Sequence, residues 1–166
     1  MVKIKHIIIA ILVVIVGIWA AFYFSQNEEK RVRKQFDILS EWVSKDPGEK
    51  ALTMAHKIRS AGDLFAEECE IKAPIDSLSG SYTLEEISSY AAQARLQFSK
   101  LSLHFYDLDI EFPDEGRATG LLTANLTGRS TSGERVDETH ELQCVLKKID
   151  NKWLFTNLEV VEVLKK

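Results

Sequence analysis

The sequence predicts an α+β domain in which three helices come first and a long antiparallel meander follows, with one apolar segment ahead of both. Two periodicities carry this. Apolar residues recur at helical spacing up to about Phe98, and after Lys100 they alternate one by one with polar residues. The third observation is a run without charge, residues 7–24 (IIIAILVVIVGIWAAFYF), 18 positions long. The 25 acidic residues outnumber the 21 basic ones, which excludes a dedicated nucleic-acid binder with its basic face. A hydrophobic content of 45% excludes a disordered chain. Two cysteines can build neither a disulfide-stapled mini-protein nor a four-cysteine zinc site.

The apolar run comes first. As a helix it would extend roughly 27 Å, enough for the hydrocarbon core of a bilayer. Lys3 and Lys5 give it a basic head, while Trp19-Ala20-Ala21-Phe22-Tyr23-Phe24 offers a signal peptidase bulky side chains instead of small ones. Trp19 and Tyr23 suit an interfacial aromatic belt, and no polar face is present to meet water. The reading is an uncleaved transmembrane signal-anchor over residues 1–24, with 25–31 a short linker or the start of the first helix. The folded domain is then 32–166. Lys30, Arg31, Arg33 and Lys34 follow the span, but a long domain translocates largely regardless of charge. We therefore expect a single-pass protein of the inner membrane with its C-terminal domain extracytoplasmic, in the periplasm.

In the first helix Val32, Phe36, Leu39 and Val43 form the apolar stripe, and Asp46-Pro47-Gly48 stops it. A second helix is expected from about Glu49 to Ala61, with Leu52, Ala55 and Ile58 inward and Gly62 as its C-terminal cap. Leu64 to Lys72 reads as a strand. Thr83 and Glu86 form a T-x-x-E capping box that opens a third helix, whose stripe is Leu84, Ile87, Ala91, Ala94 and Phe98. Next, Tyr106, Leu108, Ile110 and Phe112 alternate with Phe105, Asp107, Asp109 and Glu111, and Pro113 to Gly116 supplies the turn. Ala118, Gly120, Leu122, Ala124 and Leu126 share one face of the following strand. The small residues on that face suit a curved sheet or a close neighbour. Ser130 to Gly133 turns the chain again. Strands from about Glu134 to Ile149 and from Lys152 to Leu164 complete the meander through a tight Asp150-Asn151 turn. The last strand is apolar on both faces.

This order resembles the nuclear transport factor 2-like superfamily, the SnoaL-like branch in particular. Leu64-Phe65-Ala66-Glu67-Glu68-Cys69-Glu70-Ile71 is similar to that branch's entry into its first strand. Ser79-Gly80-Ser81-Tyr82-Thr83-Leu84-Glu85-Glu86-Ile87, after Pro74, resembles its approach to the third helix. Asp107 to Ile110 with Arg117 to Gly120 resembles its first hairpin, and Asn151-Lys152-Trp153-Leu154-Phe155 its closing strand. The resemblance spans about residues 32–164. It implies a cone-shaped, cystatin-like fold: three helices on a curved, mainly antiparallel sheet with a cavity between them. It does not imply one function, because the fold hosts cyclases, isomerases, dehydratases and non-catalytic scaffolds. The isomerases keep a general-base aspartate just before the proline that ends the first strand. Here that position is Ala73.

His140 shares a strand face with Val136, Leu142, Cys144 and Leu146. It can be a general base, since imidazole titrates near neutrality, or a core histidine donating to a carbonyl. Trp42, which the resemblance makes a wall of the cavity, Tyr106, His140 and Glu159 are the candidate ligand-binding residues. Cys144 reads as a small buried hydrophobe, and pairing of Cys69 with Cys144 is left open. The four histidines show no i, i+4 pair and no completed ligand set, so neither a metal nor a cofactor is expected. The expected function is a membrane-anchored, non-catalytic module that binds a small apolar ligand or a protein. Its partners would be the membrane through residues 7–24 and a second copy or a membrane protein, with no nucleic acid. The alternative is a SnoaL-like lyase or isomerase using His140 as general base.

Overall fold

The computed structural model describes residues 2–74 and 78–161, with side chains described for 11–19 and from 26 onward. Helix α1 runs from Val2 to Val43, α2 from Ala51 to Arg59 and α3 from Leu84 to Gln97; a 3₁₀ turn, Ser60–Asp63, follows α2. The strands are β1 (Phe65–Lys72), β2 (Gly80–Thr83), β3 (Phe98–Asp114), β4 (Arg117–Ser130), β5 (Arg135–Ile149) and β6 (Lys152–Val161). They form one sheet in the order β2-β1-β6-β5-β4-β3. Among the described residues only the β1–β6 pair is parallel. Helices on one side of a curved antiparallel meander is the α+β arrangement that the two periodicities predict.

Residues 25–31 are helical and α1 crosses them without a break. Among the described residues no helix is long and apolar enough to cross a membrane. This corrects the expected transmembrane anchor at 7–24, and with it the single-pass inner-membrane localisation and the extracytoplasmic domain. Within that run the described side chains are those of 11–19. The side chains of 7–10 and 20–24 lie outside the described residues.

The stripe on α1 does what its spacing predicts. Val32, Phe36 and Leu39 are buried, and Trp42 joins them. The phenyl ring of Phe36 stands edge-on to Phe105 and to Phe155, at centroid distances of 5.9 and 5.1 Å. Gly120 makes room for it, since a Cβ there would lie 2.7 Å from Phe36 Cζ. Beyond Val43 the chain pairs with the edge of β3. Lys45 N–H donates to Leu101 O at 2.7 Å and Leu101 N–H to Lys45 O at 3.0 Å. The Ser44 hydroxyl accepts from Leu103 N–H, so α1 occupies an edge that would otherwise invite pairing.

The capping box at Thr83–Glu86 forms as predicted. Asp150 and Asn151 adopt φ of 47° and 63°, the left-handed pair that a two-residue hairpin turn needs. Other expectations are corrected. α2 ends at Arg59 with Ser60 as its cap, not Gly62, and Leu52 is exposed. The 3₁₀ turn rather than the stripe on α2 delivers the buried residue here, Ala61. β2 is a strand that sequence patterning misses, because four residues are too few to show a period.

β3 carries the most informative correction. Residues Leu101, Leu103 and Phe105 face the helices, Asp107 takes φ +54°, and the register then shifts so that Ile110 and Phe112 face them instead. This is a β-bulge at a residue type that tolerates the left-handed region. It puts Tyr106, opposite Thr123, on the outer face, where it is 53% exposed. Alternation counted backward from Leu108 had placed it with the apolar set.

Candidate functional site

Three groups of polar side chains stand out, and two of them hold the scaffold together. Arg95 projects from α3 into the core at 3% exposure. Its Nη1 donates to the carbonyls of Trp42, Val43 and Ser44 at 2.7, 2.9 and 3.0 Å. Trp42 and Val43 carry the last acceptors of α1, which its own helix cannot satisfy, and Ser44 O just beyond also accepts from Lys57 Nζ at 2.9 Å. Arg95 Nη2 binds the Glu49 carboxylate, and Lys57 Nζ reaches Glu49 Oε1 at 3.0 Å. In return Lys45 Nζ donates to the carbonyls of Arg95 and Phe98 at the end of α3. Burial pushes the Glu49 carboxyl up. Hydrogen bonds from Lys57 and Arg95, together with their charges, outweigh it and hold the group below its usual 4.5.

The second group ties α1 to the β5–β6 turn. Glu28 accepts from Lys148 Nζ at 3.0 Å, Trp153 Nε1 at 2.6 Å and Arg31 Nη1 at 3.0 Å, while Arg31 also donates to Asn151 O. Burial raises its pKa, but the hydrogen bonds from Lys148 and Trp153 and the charges of Lys148 and Arg31 bring it below 4.5. Its folded pKa is therefore lower than its unfolded one. The stabilisation is complete above 4.5 and is lost as pH falls through the lowered value. The Trp153 indole N–H resonance should accordingly show an acid transition below pH 4.5, and Glu28→Gln should remove that transition. A Trp153 resonance that titrates identically in both proteins would contradict this assignment.

The third group lies on the helix-facing side of the sheet. Residues Gly120, Leu122, Ala124 and Leu126 on β4 stand opposite Cys144, Leu142, His140 and Glu138 on β5. Cys144 is buried, whereas the His140 side chain is 49% exposed. The helix-facing surface thus passes from core to open shelf within four residues of β5. His140 Nε2 lies 3.4 Å from Glu138 Oε2. Around the pair, Leu126, Leu142, Leu158 and Val160 are half-buried.

The predicted site residues do not gather here. Trp42 is buried against Phe65, its Nε1 donating to Lys57 O at 2.6 Å. Tyr106 and Glu159 both project from the outer face, Glu159 opposite Gln143 and 3.7 Å from Lys72 Nζ. Only His140 stands on the shelf. Sequence reasoning missed Arg95, although an arginine four residues after the striped Ala91 was the available signal, and it missed Glu28 and Glu138. Cys69 and Cys144 are free and buried. Burial pushes both thiols up to about 12, with the charge of Glu70 adding to Cys69 and the neighbouring Cys69 to Cys144. Neither is poised as a nucleophile. Among the described residues no three His, Cys, Asp or Glu side chains are grouped to hold a metal ion.

No family model matches the chain, and no curated protein matches it. Solved structures do. A putative scytalone dehydratase from Novosphingobium aromaticivorans DSM 12444 is 22% identical with a TM-score of 0.64, over 84% of this chain and 87% of that one. A hexachlorocyclohexane dehydrochlorinase (LinA) type 2 is 11% identical with a TM-score of 0.65, over 82% and 86%. An uncharacterized protein with a cystatin-like fold from Caulobacter vibrioides is 8% identical with a TM-score of 0.59, over 81% and 89%. Likeness at such low identity shows the fold, and it agrees with the six-stranded curved sheet and its helices. The chain has the α+β fold of these structures, one of which is described as cystatin-like.

Proposed function

We propose that this protein is a non-catalytic binding module whose contact surface is the shelf around His140. The observation that carries this is the filled interior. Between helices and sheet, where a reacting centre would be enclosed, stand Phe36, Phe155, Leu122 and Leu146, each at most 2% exposed. The apolar surface left open on that side is Leu126, Leu142, Leu158 and Val160, with the His140–Glu138 pair as its polar group. Such a shelf suits a small apolar ligand carrying one hydrogen-bonding group. The outer face, with Tyr106, Leu121 and a threonine-rich surround, suits a second copy of the chain, and Glu159 belongs to that face.

A second reading is supported by the His140–Glu138 contact. An imidazole with a carboxylate beside it is the base-and-orienter arrangement of general-base catalysis, and two of the similar structures are named as a dehydratase and a dehydrochlorinase. In that reading His140 is the base of an elimination or isomerisation. Native mass spectrometry of the purified protein reads ligand and oligomer together. A bound small molecule that disappears in Leu142→Arg supports the shelf; an unchanged adduct in that variant sinks it. Turnover that falls by about two orders of magnitude in His140→Ala would put the enzyme reading ahead.

A further inference from the structure

Far from the shelf, the outer face of β3, β4 and β5 ends in a row of cations. Lys100 stands directly opposite Arg129, and Arg129 directly opposite Arg135. All three are exposed, and they project outward because Leu101 and Gly128, their neighbours in sequence, pack inward. Adjacent strands lie about 4.8 Å apart, so three positive charges line up over roughly 10 Å. Like charges placed opposite one another in a sheet oppose its folding.

A shortage of acids does not force this arrangement, for the chain has 25 of them against 21 bases. Arg31, Arg33, Lys57, Lys72, Arg95, Lys148 and Lys152 each have a carboxylate within 4.0 Å. Among the described residues Lys100, Arg129 and Arg135 have none, as is also true of Arg117 and Lys147 at the far end of the face, but only the row places three cations side by side. Asp137, two positions along β5 from Arg135, accepts from Asn125 Nδ2 at 3.0 Å. The backbone beneath the row is held tightly. Ser99 Oγ donates to the carbonyls of Arg129 and Ser130 at 3.0 and 3.3 Å. A Cβ on Gly128 would stand 2.7 Å from Lys100 O, so the two strands are in close contact there.

We propose that Lys100, Arg129 and Arg135 form a binding site for a compact multivalent phosphate anion. Its charges offset the repulsion along the row, and the two guanidinium groups donate paired hydrogen bonds to its oxygens. The row is short and crosses the strands, which fits a di- or triphosphate group better than the track of a long polymer.

Calorimetric titration of the full chain with inorganic triphosphate, at low and at physiological salt, tests the site. The native protein should bind one equivalent, more weakly as salt rises. Arg129→Ser should bind at least about tenfold more weakly, since a charged hydrogen bond is lost. Lys147→Ser, opposite Arg117 at the far end of the same face, should bind like the native protein. Without ligand, Arg129→Ser should melt at the native temperature or above it, because repulsion is relieved. Absence of binding, or equal weakening in both variants, overturns the site. A lower melting temperature for Arg129→Ser overturns it too, since the row would then be structural.

Discussion

Arg95→Ala should lower the unfolding free energy by about 3–5 kcal/mol, read from chemical denaturation at neutral pH. That is the usual cost of removing one partner from a buried ion pair. The side chains of Arg95 and Glu49 are each only 4% exposed, so the carboxylate left behind would have Lys57 as its remaining cation. The carbonyls of Trp42 and Val43 at the end of α1 would lose their donor as well, while Ser44 O keeps Lys57 Nζ. The second loss separates this site from a simple ion pair. Arg95→Met restores apolar packing but supplies no donor, so it should recover only part of the deficit. Full recovery by methionine would mean that the carbonyl contacts contribute little. Because the Glu49 carboxyl is held below 4.5, the cluster's contribution should be complete above that pH. It should fade as pH falls through the lowered value.

Phe36→Ala should cost a similar amount, about 3–5 kcal/mol, through lost burial and the cavity that remains. The ring is 1% exposed, stands edge-on to two other phenyl rings and rests on Gly120. A dry apolar cavity of this kind can bind a small aromatic molecule. Benzene should therefore raise the melting temperature of Phe36→Ala and leave the native protein unchanged. If benzene stabilised both proteins equally, the native interior would already hold an open cavity and the filled-interior argument would fail. Gly120→Val approaches the same contact from the other side, overpacking the space that Phe36 needs.

Much of this fold was legible in the sequence because its signals are local. The stripe on α1, the capping box at Thr83, the small residues of β4 and the Asp150-Asn151 turn each specify their own geometry within a few residues. What escaped depends on the chain's meeting itself. The bulge at Asp107 breaks an alternation that looks continuous on both sides of it, and so Tyr106 was assigned to the wrong face. The exposure of His140 reflects how far the helices cover the sheet, which strand parity alone does not report. Arg95 and Glu49 are 46 positions apart, and that arginine is buried against three carbonyls at and just beyond the end of another helix. The apolar run at 7–24 shows the opposite case. The length of the uncharged run, its basic head and its interfacial aromatics point to a membrane span, but among the described residues no helix meets the length and apolarity required.

In the proposed function, ligand meets this domain on the shelf and not in the interior. Methyl-resolved NMR, with a small apolar probe such as a medium-chain fatty alcohol titrated in, tests it most directly. Shifts confined to Leu126, Leu142, Leu158 and Val160, with the His140 ring responding, are the predicted result. Shifts centred on Leu122 and Leu146, leaving the shelf unmoved, would contradict the account and reopen the interior as the site.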